Sequence, residues 1–517
     1  MKKYFNWKYT SKCLFFCLLL IANAITSSVY AQKTVERWNV FELELKCKVK
    51  GNPFQDVTLE GVFANGSHST KVYGFYDGNN VFRVRFMPDK QGKWTYIIKS
   101  NIRSLNKKGS FICTAPIQGN HGRVRVVDKT HFEYDDGTPF YPFGTTCYAW
   151  LHQPKQLMYQ TIKTLSEGYF NKIRMCIFPK SYDWNKNEPI YYPYRGKPLK
   201  NWDYSCFNPV FFQNIEKQIK ILDSLGIQAD LIIFHPYDRW GFSSMGREND
   251  KRYLKYILAR FSAYKNVWWS LANEYDFIKS KKKDDWKYYL SFIKKNDPYN
   301  HLRSIHYGMA MFDYKDSDIT HLSLQMQNTD EGQKLLDLYE KPVIFDECRY
   351  EGNLPYEWGD ITAKEMVNKF WVGICRGAFV THGETYLIND LNKRPQDSDE
   401  IMWWSKGGVL HGESPERIKF LRKIIESSPG QLSPCLMLTR WLYPAISHND
   451  DYFLLYFGNV QPVQQLIDLP SDKKYGVDII DAWNMTITHV TGEFSGKSLV
   501  VLPGKSMIAL RITRIAN

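Results

Sequence analysis

The sequence predicts a multidomain chain in which a central (β/α)8 (TIM) barrel lies between an N-terminal Ig-like β-sandwich and a C-terminal β-sandwich. Three observations carry this expectation. The 517 residues exceed what a single hydrophobic core organises, so several domains are expected. Residues 33–118 and 433–517 read as short strands of period two between turn clusters. Residues 123–430 instead alternate apolar strand-like runs with amphipathic helical stretches, the pattern of parallel βαβ units.

In the first domain, Phe41-Glu42-Leu43-Glu44-Leu45 alternates apolar and polar residues. Val81-Phe82-Arg83-Val84-Arg85-Phe86 and Trp94-Thr95-Tyr96-Ile97-Ile98 repeat the pattern, with turn clusters at 77–80 and 89–92. Gly119-Asn120-His121-Gly122 reads as a linker, and a hairpin at 124–136 leads into the barrel. Eight runs then follow as barrel strands, at 140–147, 172–178, 227–234, 266–272, 302–307, 319–325, 343–346 and 378–382. Helical stretches such as 211–225, 252–264 and 284–295 lie between them. The last domain has strand-like runs at 452–457 and 506–512.

Residues 1–31 read as a signal peptide. Lys2, Lys3, Lys8 and Lys12 precede an apolar run at 13–24, and Val29-Tyr30-Ala31 offers a cleavage site. This predicts export to the periplasm or the extracellular space. No later segment is long and apolar enough to span a bilayer. The formal net charge of +14 is spread along the chain with no basic stripe or recognition motif, which argues against nucleic acid. Of ten cysteines, Cys13 and Cys17 fall in the leader. The other eight have no zinc-ligand spacing, and Cys47 with Cys113 is the one pair worth testing as a disulfide. Neither a metal nor an organic cofactor is expected. An aromatic content of 16% suits either β-sheet cores or rings that stack on sugar faces.

In such a barrel the site is built where strands end at one rim. The fourth run ends in Ala272-Asn273-Glu274 and the seventh in Phe345-Asp346-Glu347. Two carboxylates are thus expected nearly opposite each other across the mouth. Glycoside cleavage needs such a pair, one to protonate the leaving oxygen and one to attack or to activate water. Glu274 is the candidate acid/base and Glu347 the candidate nucleophile. Asp346 should point the opposite way along its strand. His235 and His306 end the third and fifth runs, and His382 and Glu384 follow the eighth. Glu384 is a weaker rival nucleophile. Tyr148 and Trp150 after the first run, with Trp403 and Trp404 after the eighth, are candidate sugar platforms.

Tyr141-Pro142-Phe143-Gly144-Thr145-Thr146, Asn171-Lys172-Ile173-Arg174, His382-Gly383-Glu384-Thr385-Tyr386 and Trp403-Trp404-Ser405-Lys406-Gly407-Gly408 resemble the apiosidase-like catalytic domain family. The ends of the fourth and seventh strands resemble clan A glycoside hydrolases. The resemblance implies a retaining double displacement on a poly- or oligosaccharide. It implies that Arg174 holds Glu347 and keeps it charged, and that Asn273 bonds a sugar hydroxyl. It also implies substrate contacts from His235, His306, Tyr148, Trp150, His382, Glu384 and Trp404. A catalytically inactive glycan-binding barrel and an inverting glycosidase are the rival readings. A serine esterase is disfavoured by the lack of a Gly-x-Ser-x-Gly elbow.

Overall fold

The computed structural model describes Met1 and residues 33–198, 200–435, 438–439 and 442–515. Apart from Met1, the leader expected over 1–31 lies outside the described residues.

The centre is a barrel of eight parallel strands: β1 (Phe143–Thr146), β2 (Lys172–Cys176), β3 (Gln228–Phe234), β4 (Val267–Ala272), β5 (Arg303–Ser304), β6 (Leu322–Gln325), β7 (Val343–Glu347) and β8 (Phe379–His382). They pair in the order β5-β4-β3-β2-β1-β8-β7-β6. The seam between β5 and β6 closes through a single bridge, His306 to Ser323. The Tyr314 hydroxyl reinforces it, with the Ile305 carbonyl at 2.8 Å and the Ser323 carbonyl at 2.5 Å. The helices are α1 (Lys155–Leu165), α2 (Pro209–Ser224), α3 (Arg247–Phe261), α4 (Lys283–Asn296), α5 (Gly332–Tyr339), α6 (Ala363–Cys375), the short α7 (Trp403–Lys406) and α8 (Ser414–Glu426). Among the described residues no helix joins β5 to β6; a loop carrying Tyr314 fills that position.

The first strand starts later than its apolar run suggests. Pro139–Phe140 belongs to a three-stranded sheet with Val124–Val127 and His131–Tyr134. Pro142, which has no N–H for a ladder, separates that sheet from β1. The small sheet plugs the lower end of the barrel. Its Phe132 ring lies 5.4 Å from Trp268 and 5.7 Å from Phe379.

Above this plug the barrel interior holds a buried charge layer. Lys172 pairs with Asp346 at 2.8 Å and Asp230 at 2.9 Å. Asp346 also accepts from Thr381 at 2.8 Å and from Ser323 at 2.5 Å. Burial alone would raise the Asp346 carboxyl, but Lys172 and Arg174 overcome it and hold it far below the usual carboxylate range.

The N-terminal domain has two sheets. One runs Thr34–Glu36, Lys107–Thr114, Gly92–Ser100, Leu59–Asn65, His68–Tyr73; the other runs Phe41–Lys46, Val81–Phe86, Phe75–Tyr76. Their inner faces meet in stacked rings, with Phe41 on Phe111 at 4.0 Å and Phe63 on Phe86 at 4.3 Å. The domain docks on α2 and α3 through buried charges. Arg85 and Arg260 both hold Glu216, and Arg260 reaches Asp77 at 2.7 Å. The C-terminal domain pairs Ser433–Pro434, Ala445–His448, Tyr452–Tyr456, Ile508–Arg514, Tyr475–Asp481 and Thr486–Phe494 in one sheet. Gln464–Asp468 with Lys497–Val501 covers it. It packs on α6 through Tyr456, stacked 5.2 Å from Trp371.

All eight described cysteines are free, so Cys47 and Cys113 form no disulfide. Cys47 instead contacts the Ser104 hydroxyl, and Cys113 is buried in the sandwich core.

Candidate active site

The ends of β2, β3, β4, β6 and β7 and the loops beyond them, with the loops after β1 and β8, enclose a cavity of about 650 Å³ at one rim of the barrel. That size is ordinary for a small-molecule site. Glu274 and Glu347 both line it, together with Asn273, Tyr148, Lys180, Tyr182, Trp184, Tyr237, Gln325, Tyr350, Trp358 and Trp404. A smaller cleft of about 150 Å³ lies between the N-terminal domain and α3 and has Glu60 as its one carboxylate.

Glu274 follows β4 directly. Its backbone is left-handed, with φ 47°. Such a conformation is uncommon for a residue with a side chain. The turn is held from below: the Asn273 N–H donates to the Phe234 carbonyl and the Tyr275 N–H to the His306 carbonyl. The Glu274 carboxylate accepts from the Asn273 amide at 3.0 Å, and Tyr237 lines the cavity beside it. Burial first, and then the charge of Glu347, push the Glu274 carboxyl up to about 7. A carboxylic acid with that value carries its proton near neutrality.

Glu347 ends β7. The Tyr148 hydroxyl donates to its Oε1, and Arg174 Nη1 and His306 Nε2 stand 3.9 Å and 3.8 Å from the same oxygen. The tautomer of His306 follows from its other nitrogen. The Glu274 N–H donates to Nδ1 at 3.4 Å, so the ring proton belongs on Nε2, facing Glu347. Burial pulls the imidazole down to about 4, which keeps it neutral. One ring thus touches the backbone of one glutamate and faces the side chain of the other.

Asp346 and Glu347 do not diverge as strict strand alternation demands. The Arg174 guanidinium lies 3.8 Å from Asp346 and 3.9 Å from Glu347, so both carboxylates are on the inner side. The pairing of β6 with β7 shifts register between Leu324 and Gln325, which brings Gln325 opposite Glu347. This irregularity turns Glu347 to the cavity.

The remaining expected contacts divide. Tyr148, Asn273 and Trp404 line the cavity, and Arg174 and His306 stand just behind Glu347. Trp150 does not reach it. The 3-10 turn Trp150–His152 rotates the indole into the core, where its N–H meets the Met158 carbonyl at 3.3 Å. Trp403 is also core, bonded to Thr145 at 2.8 Å. His235 is buried between β2 and β3, with Nε2 3.1 Å from the Phe178 carbonyl, and burial lowers it to about 3. His382 stacks on Phe170 at 4.9 Å with Nδ1 on Thr145, away from the cavity. Glu384 accepts from the His411 and Gly412 N–H groups at 2.6 Å and 2.8 Å, and burial raises it to about 8. That anchoring turns Glu384 away from the cavity and sets it apart from the Glu274–Glu347 pair.

Glu351, His382 and Glu384 are the described residues that could hold a metal ion, with candidate ligand atoms within 4.8 Å of one another. Their carboxylate oxygens are already engaged. Glu351 accepts from the Glu413 and Ser414 N–H groups, the Ser414 hydroxyl and the Tyr386 hydroxyl, so it serves the N-terminus of α8.

Lining residues that escaped the sequence reading include Lys180, Tyr182, Trp184, Tyr237, Gln325, Tyr350 and Trp358. Lys180 sits four residues beyond the end of β2 at Cys176, and Tyr237 three beyond the end of β3 at Phe234. A search carried that far past each strand end would have found both. Trp404 is ringed by Tyr182, Trp184, Tyr350 and Trp358, with centroids 5.2–5.9 Å away, and makes the wall aromatic.

Comparison with known proteins accords with this geometry. Residues 127–431 match the family model of the apiosidase-like catalytic domain. Residues 34–101 and 441–513 match two domains of unknown function, DUF5060 and DUF5605. No curated protein matches the chain. A crystal structure of a "putative glycoside hydrolase" from Bacteroides vulgatus is 40% identical, with a TM-score of 0.88 over 94% of this chain and all of that one. A family 5 glycoside hydrolase from the same organism is 16% identical, with a TM-score of 0.59 over 77% of this chain and 94% of that one, and shares the fold.

Proposed function

Because the chain belongs to the apiosidase-like catalytic domain family, we propose that it is an exported glycoside hydrolase cleaving a poly- or oligosaccharide by a retaining double displacement. The observation that carries the reading is the pair itself: Glu274 and Glu347, ending β4 and β7, face one aromatic-lined cavity. The 40% identical Bacteroides vulgatus protein, matched over its whole length, supports the same class.

The roles follow from the surroundings. Glu347 attacks the anomeric carbon, with Tyr148 and Arg174 fixing its carboxylate from behind. Glu274, protonated near neutrality, gives its proton to the departing oxygen. Once the leaving group has gone, Glu274 is the base that takes a proton from water, and the water releases the sugar. The aromatic wall around Trp404 offers faces for sugar C–H groups.

The test is a panel of aryl glycosides and of plant and algal polysaccharides, run with wild type and Glu347→Ala. Wild type should cleave at least one substrate and the variant none. The anomeric proton of the first-formed product, followed by NMR, should show retention. Turnover that survives in Glu347→Ala would remove the nucleophile assignment, and an inverted product would replace the mechanism.

A further inference from the structure

Lys180 follows β2 through Phe178-Pro179 and is 2% exposed. Its ammonium sits among three phenol rings, 3.9 Å from the Tyr148 centroid, 4.3 Å from Tyr237 and 4.5 Å from Tyr182. The loop that carries it is fixed. The Ser181 N–H donates to the Tyr237 carbonyl at 2.9 Å, and the Lys180 carbonyl accepts from the Asn185 amide at 2.7 Å. Two of the three rings belong to the catalytic cluster: Tyr148 donates to Glu347, and Tyr237 lines the cavity with Glu274.

Among the described residues, no carboxylate pairs with this ammonium and no oxygen accepts from it, although Glu274 and Glu347 line the same cavity. Other buried cations of the barrel are treated differently. Lys172 has two carboxylates and Lys281 has Asp250. A buried ammonium costs several kcal/mol unless its three N–H groups find partners, and ring faces satisfy the charge but not the hydrogen bonds. The open direction is the cavity.

We infer that Lys180 is a substrate-contacting residue whose ammonium donates to an oxygen of the bound sugar beside Glu274. The inference rests on the glycosidase reading of the site. It carries a second consequence. A cation at that place, with the Tyr237 phenol, favours the ionised form of Glu274, opposing burial and the charges of Glu347 and Asp276. Lys180 thus limits how far the acid is raised and keeps it able to release its proton to the leaving oxygen.

The experiment compares wild type with Lys180→Met, which keeps the stem in the ring cage but removes the charge, and with Lys180→Arg, which keeps the charge. On the glycoside that wild type cleaves, kcat/KM should fall about 10–100-fold in the Met variant, the range for losing a charged hydrogen bond, and less in the Arg variant. The basic limb of the kcat/KM profile should move to higher pH in Lys180→Met alone. Values within about threefold of wild type, with an unmoved limb, would overturn the inference. If Lys180→Met fails to fold, Lys180→Gln replaces it with the same expected outcomes. A second arm needs no turnover. The infrared band of the protonated carboxyl, assigned to Glu274 by its loss in Glu274→Gln, should titrate at higher pH without the Lys180 charge. If wild type cleaves no glycoside, the functional reading fails and the sugar contact with it, while this arm still decides whether the Lys180 charge acts on Glu274: an unchanged midpoint would overturn that coupling.

Discussion

The barrel interior carries two layers of charge, and they are built on opposite principles. In the lower layer, Lys172 sits between Asp230 and Asp346, and the two Asp346 oxygens also take Thr381 and Ser323. In the upper layer, Glu274 is pushed up to about 7, and among the described residues His306 Nε2 has no partner within hydrogen-bonding distance and Lys180 faces the cavity without an acceptor. Arg174 spans both, reaching Asp230 and Asp346 with Nε and Glu347 with Nη1. The lower layer spends its charges on one another and so fixes geometry. The upper layer keeps them for a ligand, at a cost in stability that functional sites commonly carry.

If that contrast holds, substitutions in the upper layer should cut activity and spare stability, while the lower layer should do the reverse. The largest effect is expected for Glu347→Ala. Its kcat should fall by at least about 10⁴-fold, as for other lost nucleophiles, with little change in the melting temperature. Equal losses of stability and activity would merge the layers. Glu274→Ala comes next. It should lose about 10²–10⁴-fold on substrates with poor leaving groups and much less on activated aryl glycosides; equal losses on both would remove the acid role. Asp346→Asn should lower the urea midpoint by an amount equivalent to about 3–5 kcal/mol, because Lys172 keeps one carboxylate where it had two. A midpoint within error of wild type would break the comparison from below. Since folding depresses Asp346, its contribution is present above the unfolded carboxyl value near 3.8 and is lost only as pH falls below it. Folding raises Glu274, and the sign there is opposite. Its protonated form is the active one, so kcat/KM should decline as pH rises through about 7, and a plateau extending to pH 9 would count against it. The smallest effect is expected for Trp404→Ala, a rise in KM of roughly 3–10-fold, the worth of one stacked ring.

The eight strands were legible because each is a short apolar run closed by polar residues, and the meeting of Glu274 and Glu347 at one cavity because each follows the end of a parallel strand. What escaped has physical causes. Among the described residues a loop, not a helix, joins β5 to β6, and its Tyr314 bonds carbonyls on both sides of the seam. No periodicity signals that. Trp150 and His235 stand next to strand ends in the chain, yet a 3-10 turn and the β2–β3 packing turn them inward. Only the backbone path decides which way they face. Strict alternation misplaced Glu347 relative to Asp346 because the extra residue in β7, Asp346 between the partners of Leu324 and Gln325, is invisible without the neighbouring strand. Lys180 was missed because a lone lysine in a loop reads as solvated, whereas here three tyrosines from separate positions close around it.

The docking of the first domain has a practical outcome for anyone dissecting this chain. Glu216 on α2 and Arg260 on α3 belong to the barrel, but Arg85 and Asp77, which complete their pairing, come from the preceding sandwich. Met87 likewise ties its N–H to the Tyr299 hydroxyl at 2.8 Å. An excised barrel would expose Glu216 and Arg260 stripped of half their partners, so it should be less stable than a fragment that begins at the first sandwich strand.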